Sequence, residues 1–405
     1  MDPLARKLKR DLTVEEQLAR GPLDLPFLML VVMLTGIGVI MMFSASYAEA
    51  LYELENPTYY FMRQGLFAVA GLVIMYVVSK INYQTLRWLS VLALMGSIFL
   101  LILVKVPGIG DSAGGANRWI RAIGPLPRWQ PSEAAKLGVI LYFSARLSKR
   151  HTEKKRKFDL RKPSGRVLRF LDHIGFLELL PYGAILGVIA LLLLWEPHLS
   201  ATILILAIGA SILFAAGIHL GWFALGGGLM GAALWVVANA TSYMADRLAI
   251  WKNPWSDMQG DGYQIVQSLY AIGSGGLLGL GLGNSRQKFL YLPELQNDYI
   301  FPIICEELGF VGAAMVLVLF ALLIIRGYWL ALHARDRFGA LLAVGVTTQV
   351  AVQVFLNIGV VTNLLPPTGI SLPFFSYGGT ALVIQLVEMG IVLGVSRQIP
   401  APRAG

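Results

Sequence analysis

The sequence predicts an all-α polytopic integral membrane protein of about ten transmembrane helices, with a large extracytoplasmic loop between helices 7 and 8. Of its 405 residues, 56% are hydrophobic and only 14% are charged, and the mean hydropathy is +0.65. This composition is typical of a membrane protein and excludes an ordinary soluble domain. Apolar tracts long enough to cross a bilayer, roughly 20 residues each, recur along the whole chain.

These tracts predict ten spans. The first contains no charged residue and follows Asp24, a suitable helix N-cap. The spans lie at about 25–48, 61–79, 88–104, 133–148, 179–195, two helices within 197–245 that break near 217–221, 301–325, and two helices within 338–387. One membrane domain therefore covers residues 25–397, between a cytoplasmic N-terminal tail (1–24) and a cytoplasmic C-terminal tail (398–405).

The fourth span depends on charge distribution, because its first half contains Glu133 and Lys136. Residues 146–178 carry 11 Lys and Arg, and the N-terminus contains RKLKR. A fourth span puts both basic segments in the cytoplasm, and 23 of the 33 Lys and Arg residues then lie on that side. This positive-inside bias predicts that both termini are cytoplasmic. It also accounts for the net charge of +9 without nucleic acid as a partner.

Three substantial loops then face outside, at residues 106–132, 246–300 and 363–379. The second is too apolar and glycine-rich for a solvated tail, and long loops are usually functional or disordered. It also carries carboxylates and cations beside the hydrocarbon, where unpaired charge is costly and tends to mark function. The outer side is therefore where a functional site is expected.

The first outer loop and the start of span 4 contain a possible cationic cradle. Arg118 and Arg128 run against the positive-inside bias, while Glu133 and Lys136 share one helical face. Arg offers planar bidentate contacts to phosphate and Lys a point charge, so the group suits a phosphate-bearing headgroup. The alternative is a Glu133–Lys136 pair that only neutralises itself.

The second loop and span 8 supply the remaining candidates. We predict substrate contacts at Gln287, Lys288, Glu294 and Glu307. Glu294 and Asp298 are expected to share a helical face, and a carboxyl beside hydrocarbon suits a general base. The alternative for Glu306 and Glu307 is a structural pair that holds helix ends.

Other motifs exclude other chemistries. The single cysteine, Cys305, rules out an intramolecular disulfide and a cysteine metal cluster, and a small buried hydrophobe is expected there. The glycine-rich GSGGLLGLGLGNS lacks the Walker pattern and follows no strand, so it predicts tight turns rather than a nucleotide site. His198, beside Glu196, is either half of a titrating pair or a cap between spans 5 and 6.

Seven motifs, in the same order, resemble the SEDS family of cell-wall proteins (the FtsW/RodA/SpoVE group). They are GANRWI, QPSEAAK, EPHLSAT, GYQIVQS, GLGLGNSRQKFLYLPELQNDYIF, EELGFVG and GISLPFFSYGG. The resemblance covers about residues 24–397, and FFSYGG with the SAS end of span 1 is closer to the FtsW-like and sporulation members than to RodA. Two positions depart from the family pattern: Asn297 stands where threonine is frequent, and His198 where aspartate is frequent.

The resemblance implies a peptidoglycan glycosyltransferase of bacterial cell division that polymerises lipid II outside the cytoplasmic membrane. It implies a class B penicillin-binding protein as the transpeptidase partner, with other divisome membrane proteins nearby. It also implies that Asp298 is the essential aspartate of the family, and that Arg128 and Lys136 are its loop arginine and span-4 lysine.

The chemistry of this reaction agrees with the residues. Lipid II is an α-linked sugar pyrophosphate and the polymer is β-linked, so one inverting displacement suffices. Asp298 is the predicted base, and charge on the leaving pyrophosphate would be stabilised by Arg118, Arg128, Lys136 and Lys288. A divalent cation, Mg²⁺ or Mn²⁺, could assist, and no organic cofactor is expected.

Two other functions stay open. A lipid II flippase would have charge distributed across the bilayer midplane, whereas the tracts 197–245 and 338–387 are charge-free. A non-catalytic divisome scaffold would tolerate changes to the outer charges without loss of polymer synthesis.

Overall fold

A computed structural model describes residues 21–113, 116–122, 128–150, 175–240, 242–260, 262–293 and 295–399. In these residues the chain forms helices α1 (Leu25–Leu54), α2 (Tyr59–Lys80), α3 (Leu86–Leu103), α4 (Pro131–Leu147), α5 (Phe176–Trp195), α6 (Leu199–Ala215), α7 (Leu220–Ala240), α8 (Ser242–Lys252), α9 (Tyr263–Ser274), α10 (Ile300–Leu332), α11 (Arg337–Val361) and α12 (Gly379–Ser396). Strands β1 (Gly110–Ala113) and β2 (Ala116–Ile120) pair in an antiparallel hairpin. Short 3₁₀ turns occupy Tyr83–Thr85 and Pro254–Asp257.

The all-α polytopic class is confirmed, although the hairpin was not expected. Helices α1 to α7 and α10 to α12 lie at the positions of the ten predicted spans. Seven of the described helices are long and apolar enough to cross a membrane, namely α1, α2, α3 with its 3₁₀ turn, α5, α10, α11 and α12. Helix α6 is apolar but shorter, and α4 contains three charged residues within 17. The count of ten therefore stays a prediction.

Helix α11 lies at the centre of the bundle, in contact with α4, α6, α10 and α12. About two-thirds of its most apolar 18-residue stretch is buried, compared with about one-fifth of the corresponding stretches of α2, α3 and α5. Its Gly345 lets two neighbours approach closely, since a Cβ there would stand 2.9 Å from Ile212 of α6 and 3.0 Å from Ile140 of α4. Small residues at such interfaces are how helices pack within lipid, where apolar burial alone gives little.

One end of the bundle is held by ionic clamps. Arg326 at the end of α10 donates to the Asp24 carboxylate at the start of α1, with Nε 3.0 Å from Oδ1. Asp336 caps α11 through Gly339 N (3.0 Å). It also accepts from Tyr83 Oη (2.6 Å), Gln84 Nε2 (2.7 Å) and Arg87 Nη2 (3.1 Å). Burial alone would raise the pKa of Asp336, but these donors outweigh it and lower that pKa.

The predicted second outer loop, residues 246–300, is largely structured. It contains most of α8, the 3₁₀ turn and α9, followed by turns up to α10. The described residues 295–298 form turns rather than a helix, and Glu294 lies outside the described residues. Its predicted shared face with Asp298 therefore stays untested.

Helix α10 is broken at Gly309, whose backbone has φ 68° and ψ −172°. The segment 276–281 packs across the break and satisfies the freed backbone groups. Leu280 N donates to Glu306 O, and Phe310 N donates to Gly276 O, both at 2.9 Å. This arrangement places Glu306 and Glu307 beside the glycine-rich segment, which forms tight turns as predicted.

Candidate functional site

Asp298 lies directly before α10, at the end of the bundle opposite the ionic clamps. Its main-chain oxygen accepts from Asn357 Nδ2 of α11 at 2.8 Å, and the same nitrogen donates to Ile370 O at 2.6 Å. The Asp298 carboxylate lies close to Gly369, since a Cβ on that glycine would stand 3.0 Å from Oδ2. Gly369 has φ +63°, so glycine suits both the backbone conformation and the close approach.

The segment 367–370 is held from two further elements. Ser200 Oγ of α6 donates to Thr368 O and also lies 3.3 Å from Gly369 O. Arg247 Nη1 of α8 donates to Pro367 O at 2.8 Å. The starts of α6 and α10 therefore meet at this segment, with Asp298 between α10 and the segment.

The positive charge of Arg247 also acts on the start of α10, beside Asp298. Burial raises the pKa of Tyr299, the charge of the neighbouring Asp298 raises it further, and the charge of Arg247 opposes both. Arg247 is thus a cation near the candidate base that the sequence reading did not select. Its position outside the basic segments that are predicted to be cytoplasmic was the available signal.

Lys136 and Arg118 are the other cations at this end. Lys136 is buried, and its Nζ lies 2.7 Å from Glu133 Oε2, which agrees with the alternative of a self-neutralising pair. Arg118 of β2 donates to the main-chain oxygens of residues 196–197, with Nε 3.4 Å from the first. The hairpin is thereby attached to the connection between α5 and α6.

His198 lies within the influence of both cations. It is 7% exposed, and its Nδ1 has no hydrogen-bond partner among the described residues. Burial lowers the pKa of His198 to about 3, and the charges of Arg118 and Lys136 act in the same direction. The imidazole is therefore neutral at neutral pH. It occupies the N-cap position of α6 without capping it, contrary to one predicted role.

Glu196 is buried nearby, and its carboxyl has no hydrogen-bond partner among the described residues. The residue is 1% exposed. Burial raises the pKa of Glu196 to about 8, although Lys105 and Arg118 oppose the rise. Its carboxyl is therefore mostly protonated at neutral pH.

Five helices of the bundle begin at this end without a side-chain N-cap, namely α2, α4, α6, α10 and α12. At the opposite end, Asp24 and Asp336 cap α1 and α11, whereas α3 and α5 have no side-chain N-cap. Free N–H groups and the positive ends of helix dipoles favour anions. Together with Arg118 and Lys136, they make this end of the bundle favourable for an anionic group.

Arg128 lies at the edge of this region. It is 59% exposed, and its Nη1 lies 3.6 Å from Asp111 Oδ2 of β1. Its main-chain oxygen accepts from Thr380 Oγ1 at 3.4 Å, which places it over the start of α12. Arg128 is thus the accessible cation of the predicted cradle, whereas Lys136 is buried.

Lys288 and Glu307 lie against each other. Lys288 Nζ is 3.3 Å from Glu307 Oε1, and both side chains are buried. Glu307 also accepts from Ser285 N (3.2 Å) and from Ser44 Oγ of α1 (2.7 Å). Glu306 accepts from the main chain of residues 286–287. These contacts agree with the alternative of a structural pair, here anchoring the loop to α10.

The structure therefore brings one group of candidates together and places another group apart. Asp298, Arg118, Lys136 and Arg128 lie at one end of the bundle, while Gln287 and Lys288 belong to the loop anchor. Substrate contacts at Gln287, Lys288, Glu294 and Glu307 stay predictions.

Metal binding is not decided by these residues. No group of three or more His, Cys, Asp or Glu side chains that could hold an ion occurs in the described parts of the chain. Magnesium commonly uses one or two carboxylates together with substrate phosphates, so Asp298 alone is compatible with such a site.

The fold and site define a class: a multi-helix membrane protein with a carboxylate and several cations gathered at one end of the bundle. The family described as "Cell cycle protein" (FTSW_RODA_SPOVE) matches residues 25–400. The chain belongs to this family.

Individual relatives agree with the family. The chain is 38% identical over 376 residues to "Probable peptidoglycan glycosyltransferase FtsW" of Geobacter sulfurreducens, covering 93% of this chain and 95% of the relative. It is 39% identical over 375 residues to "Stage V sporulation protein E" of Bacillus subtilis, covering 92% and 97%.

Solved structures share the fold. A chain from work described as "Structural coordination of polymerization and crosslinking by a peptidoglycan synthase complex" matches with TM-score 0.70 and 28% identity, over 93% of this chain and 98% of the other. The rod shape determining protein RodA of Thermus thermophilus matches with TM-score 0.65 and 25% identity, over 94% and 99%.

Proposed function

We propose that this protein is a peptidoglycan glycosyltransferase that polymerises lipid II and releases undecaprenyl pyrophosphate. The observation that carries the proposal is the placement of Asp298 at the uncapped start of α10, at the same end of the bundle as Arg118 and Lys136. The names of the FtsW relatives, which describe a probable peptidoglycan glycosyltransferase, support the same activity.

The reaction needs one displacement. The acceptor hydroxyl attacks the anomeric carbon of the donor as the bond from that carbon to pyrophosphate breaks, which inverts the configuration. Asp298 takes the hydroxyl proton, and Asn357 and Gly369 fix its position. Arg118, Lys136 and the free helix N-termini stabilise the negative charge that develops on pyrophosphate.

A divalent cation is compatible with this arrangement. Asp298 and oxygens of the substrate diphosphate would hold Mg²⁺ or Mn²⁺. The ion would supply further positive charge to the leaving group.

The site would face outside the cytoplasmic membrane, with both termini inside. The concentration of Lys and Arg in the opposite segments supports this orientation. A class B penicillin-binding protein is the proposed partner. The synthase complex that contains a structurally similar chain, in which polymerisation and crosslinking are coordinated, supports this pairing.

Transport of lipid II is a second candidate, favoured by one observation. Glu388 lies halfway along α12, fully buried, and accepts from Gln349 Nε2 of α11 at 2.6 Å. The charge-free tract noted in the sequence stops one residue short of it. A buried carboxyl inside a membrane bundle is a feature of transporters.

Asp298→Asn separates these functions. The change removes basicity but keeps the size of the side chain, so we expect polymer formation from labelled lipid II by purified protein in detergent to fall about 10²–10⁴-fold. Polymer formation in detergent requires no membrane to be crossed, so it would not be explained by transport alone.

The matched control is Asp257→Asn, at an exposed carboxylate of the same loop that accepts from Gly260 N. It should polymerise at the wild-type rate. An Asp298→Asn protein that makes polymer as fast as wild type would exclude Asp298 as the base.

A further inference from the structure

His198 is a buried polar side chain with an unpaired ring nitrogen. Its Nδ1 has no hydrogen-bond partner among the described residues, and the side chain does not cap the helix that it precedes. Buried polar atoms are nearly always paired in native proteins, so an unpaired one calls for an explanation. A bound ligand supplies one.

The surroundings of His198 indicate the chemistry of that ligand. Arg118 of β2 and Lys136 of α4 both act on its ring electrostatically. Ser132, at the start of α4, and Thr368, in the segment beside Asp298, each have a buried hydroxyl with no partner among the described residues. Two cations and such hydroxyl groups suit an oxygen-rich anion.

We infer that His198 binds the diphosphate of the lipid-linked donor, by donating an imidazole N–H to a diphosphate oxygen beside Arg118 and Lys136. This inference rests on the proposed function and adds a residue to its site. A neutral imidazole contributes a hydrogen bond without adding charge between two cations. Aspartate, which is frequent at this position in the family, cannot donate this hydrogen bond when ionised, so the bond would be a feature of the histidine in this chain.

Three substitutions test the inference. His198→Leu removes both ring nitrogens, His198→Asn keeps an N–H donor, and His198→Asp differs from the asparagine variant mainly in its charge. The measurement is the Kd of a long-chain prenyl diphosphate for the purified full-length protein in detergent, with the prenyl alcohol of equal length as the uncharged comparison.

The expected order is definite. Loss of a hydrogen bond to a charged group should weaken diphosphate binding about tenfold or more in His198→Leu. His198→Asp should bind about as weakly as His198→Leu because an ionised carboxylate has no donor, whereas His198→Asn should stay within about threefold of wild type because it keeps one. Binding of the alcohol should be the same in all variants.

The matched control is His219→Leu, an exposed histidine at the start of α7. It should leave the Kd unchanged. Wild-type affinity in His198→Leu would overturn the inference. If the leucine variant fails to fold, equal affinities of the asparagine and aspartate variants would overturn it instead.

The proposed function fails separately. A wild-type protein that binds the diphosphate in a His198-dependent way but makes no polymer from lipid II would contradict the polymerase proposal and uphold the binding residue. Polymer formation from lipid II, together with a diphosphate Kd that does not change when His198 is substituted, would uphold the polymerase proposal and contradict the binding residue.

Discussion

Glu196 and His198 are both buried between α5 and α6, and burial keeps both uncharged at neutral pH. The carboxyl has its pKa raised to about 8, and the imidazole has its pKa lowered to about 3, because leaving water costs the charged form of each. Neither group therefore neutralises the nearby Arg118, whereas Lys136, which also acts on His198, forms an ion pair with Glu133.

The raised pKa of Glu196 predicts a pH-dependent stability. Between pH 4.5, the ordinary pKa of a glutamate, and about pH 8, the Glu196 carboxyl keeps its proton in the folded protein but has lost it in the unfolded chain. Stability from this group is present below that window and is lost as the pH rises through it. Glu196→Gln removes the effect, so the Tm of this variant should rise relative to the wild-type Tm as the pH increases from 4.5 to 8.

The measurement is thermal unfolding in detergent across this pH range. Glu53→Gln, at an exposed glutamate of α1, is the matched control. A difference in Tm between Glu196→Gln and wild type that is constant from pH 4.5 to 9 would contradict the prediction.

At the scale of elements, α10 is the helix that organises the site. Its break at Gly309 is filled by the segment 276–281, and its two carboxylates Glu306 and Glu307 bind the following turn. Asp298 precedes the same helix. The loop anchor at Glu306 and Glu307 and the candidate base Asp298 are therefore connected by one stretch of helix, the nine residues of α10 that precede Gly309.

Gly309→Ala should disrupt this element. A Cβ at that position would stand 2.2 Å from Gly279 N, and the backbone conformation there is one that only glycine adopts readily. Strain of about 1–3 kcal/mol from the backbone alone is expected. The Tm in detergent and the rate of lipid II polymerisation should both fall.

Gly273→Ala is the matched control, because it lies in α9 with no atom within 4 Å of its added Cβ. It should be neutral, or stabilising by about 0.5–1 kcal/mol. Equal stability of the two variants would show that the break does not require glycine.

At the scale of the whole molecule, the bundle has two different ends. One carries the ionic clamps of Asp24 and Asp336. The other carries Asp298, the cations and the uncapped helix starts. A membrane enzyme whose reaction takes place at one face of the membrane needs such a difference between its two ends.

The orientation of these ends is testable by cysteine labelling in intact cells. Ser256 is exposed in the second outer loop, and Ser164 belongs to the basic segment outside the described residues. With an impermeant maleimide, Ser256→Cys should react in intact cells, and Ser164→Cys only after permeabilisation. The native Cys305 is buried and gives a low background. External labelling at residue 164 would refute the ten-span topology.

The sequence alone determined the class of fold and the positions of the apolar helices, and it singled out Asp298, Glu133 and Lys136 as candidates. Hydropathy depends on runs of about 20 residues, and Glu133 with Lys136 are three positions apart on one helix. Both signals are local in the chain, so they survive without knowledge of the packing. The family motifs singled out Asp298 for the same reason, as a contiguous pattern.

Only the tertiary structure decided which charged groups meet. Ser44 and Glu307 are 263 positions apart and yet hydrogen-bonded. The break at Gly309 needs segment 276–281 to fill it. Burial of Glu196 and His198 likewise depends on helices that are distant in the sequence. The physical reason is that the cost of burying a polar group is set by its partners, and a single sequence does not show which distant partners lie within 3 Å.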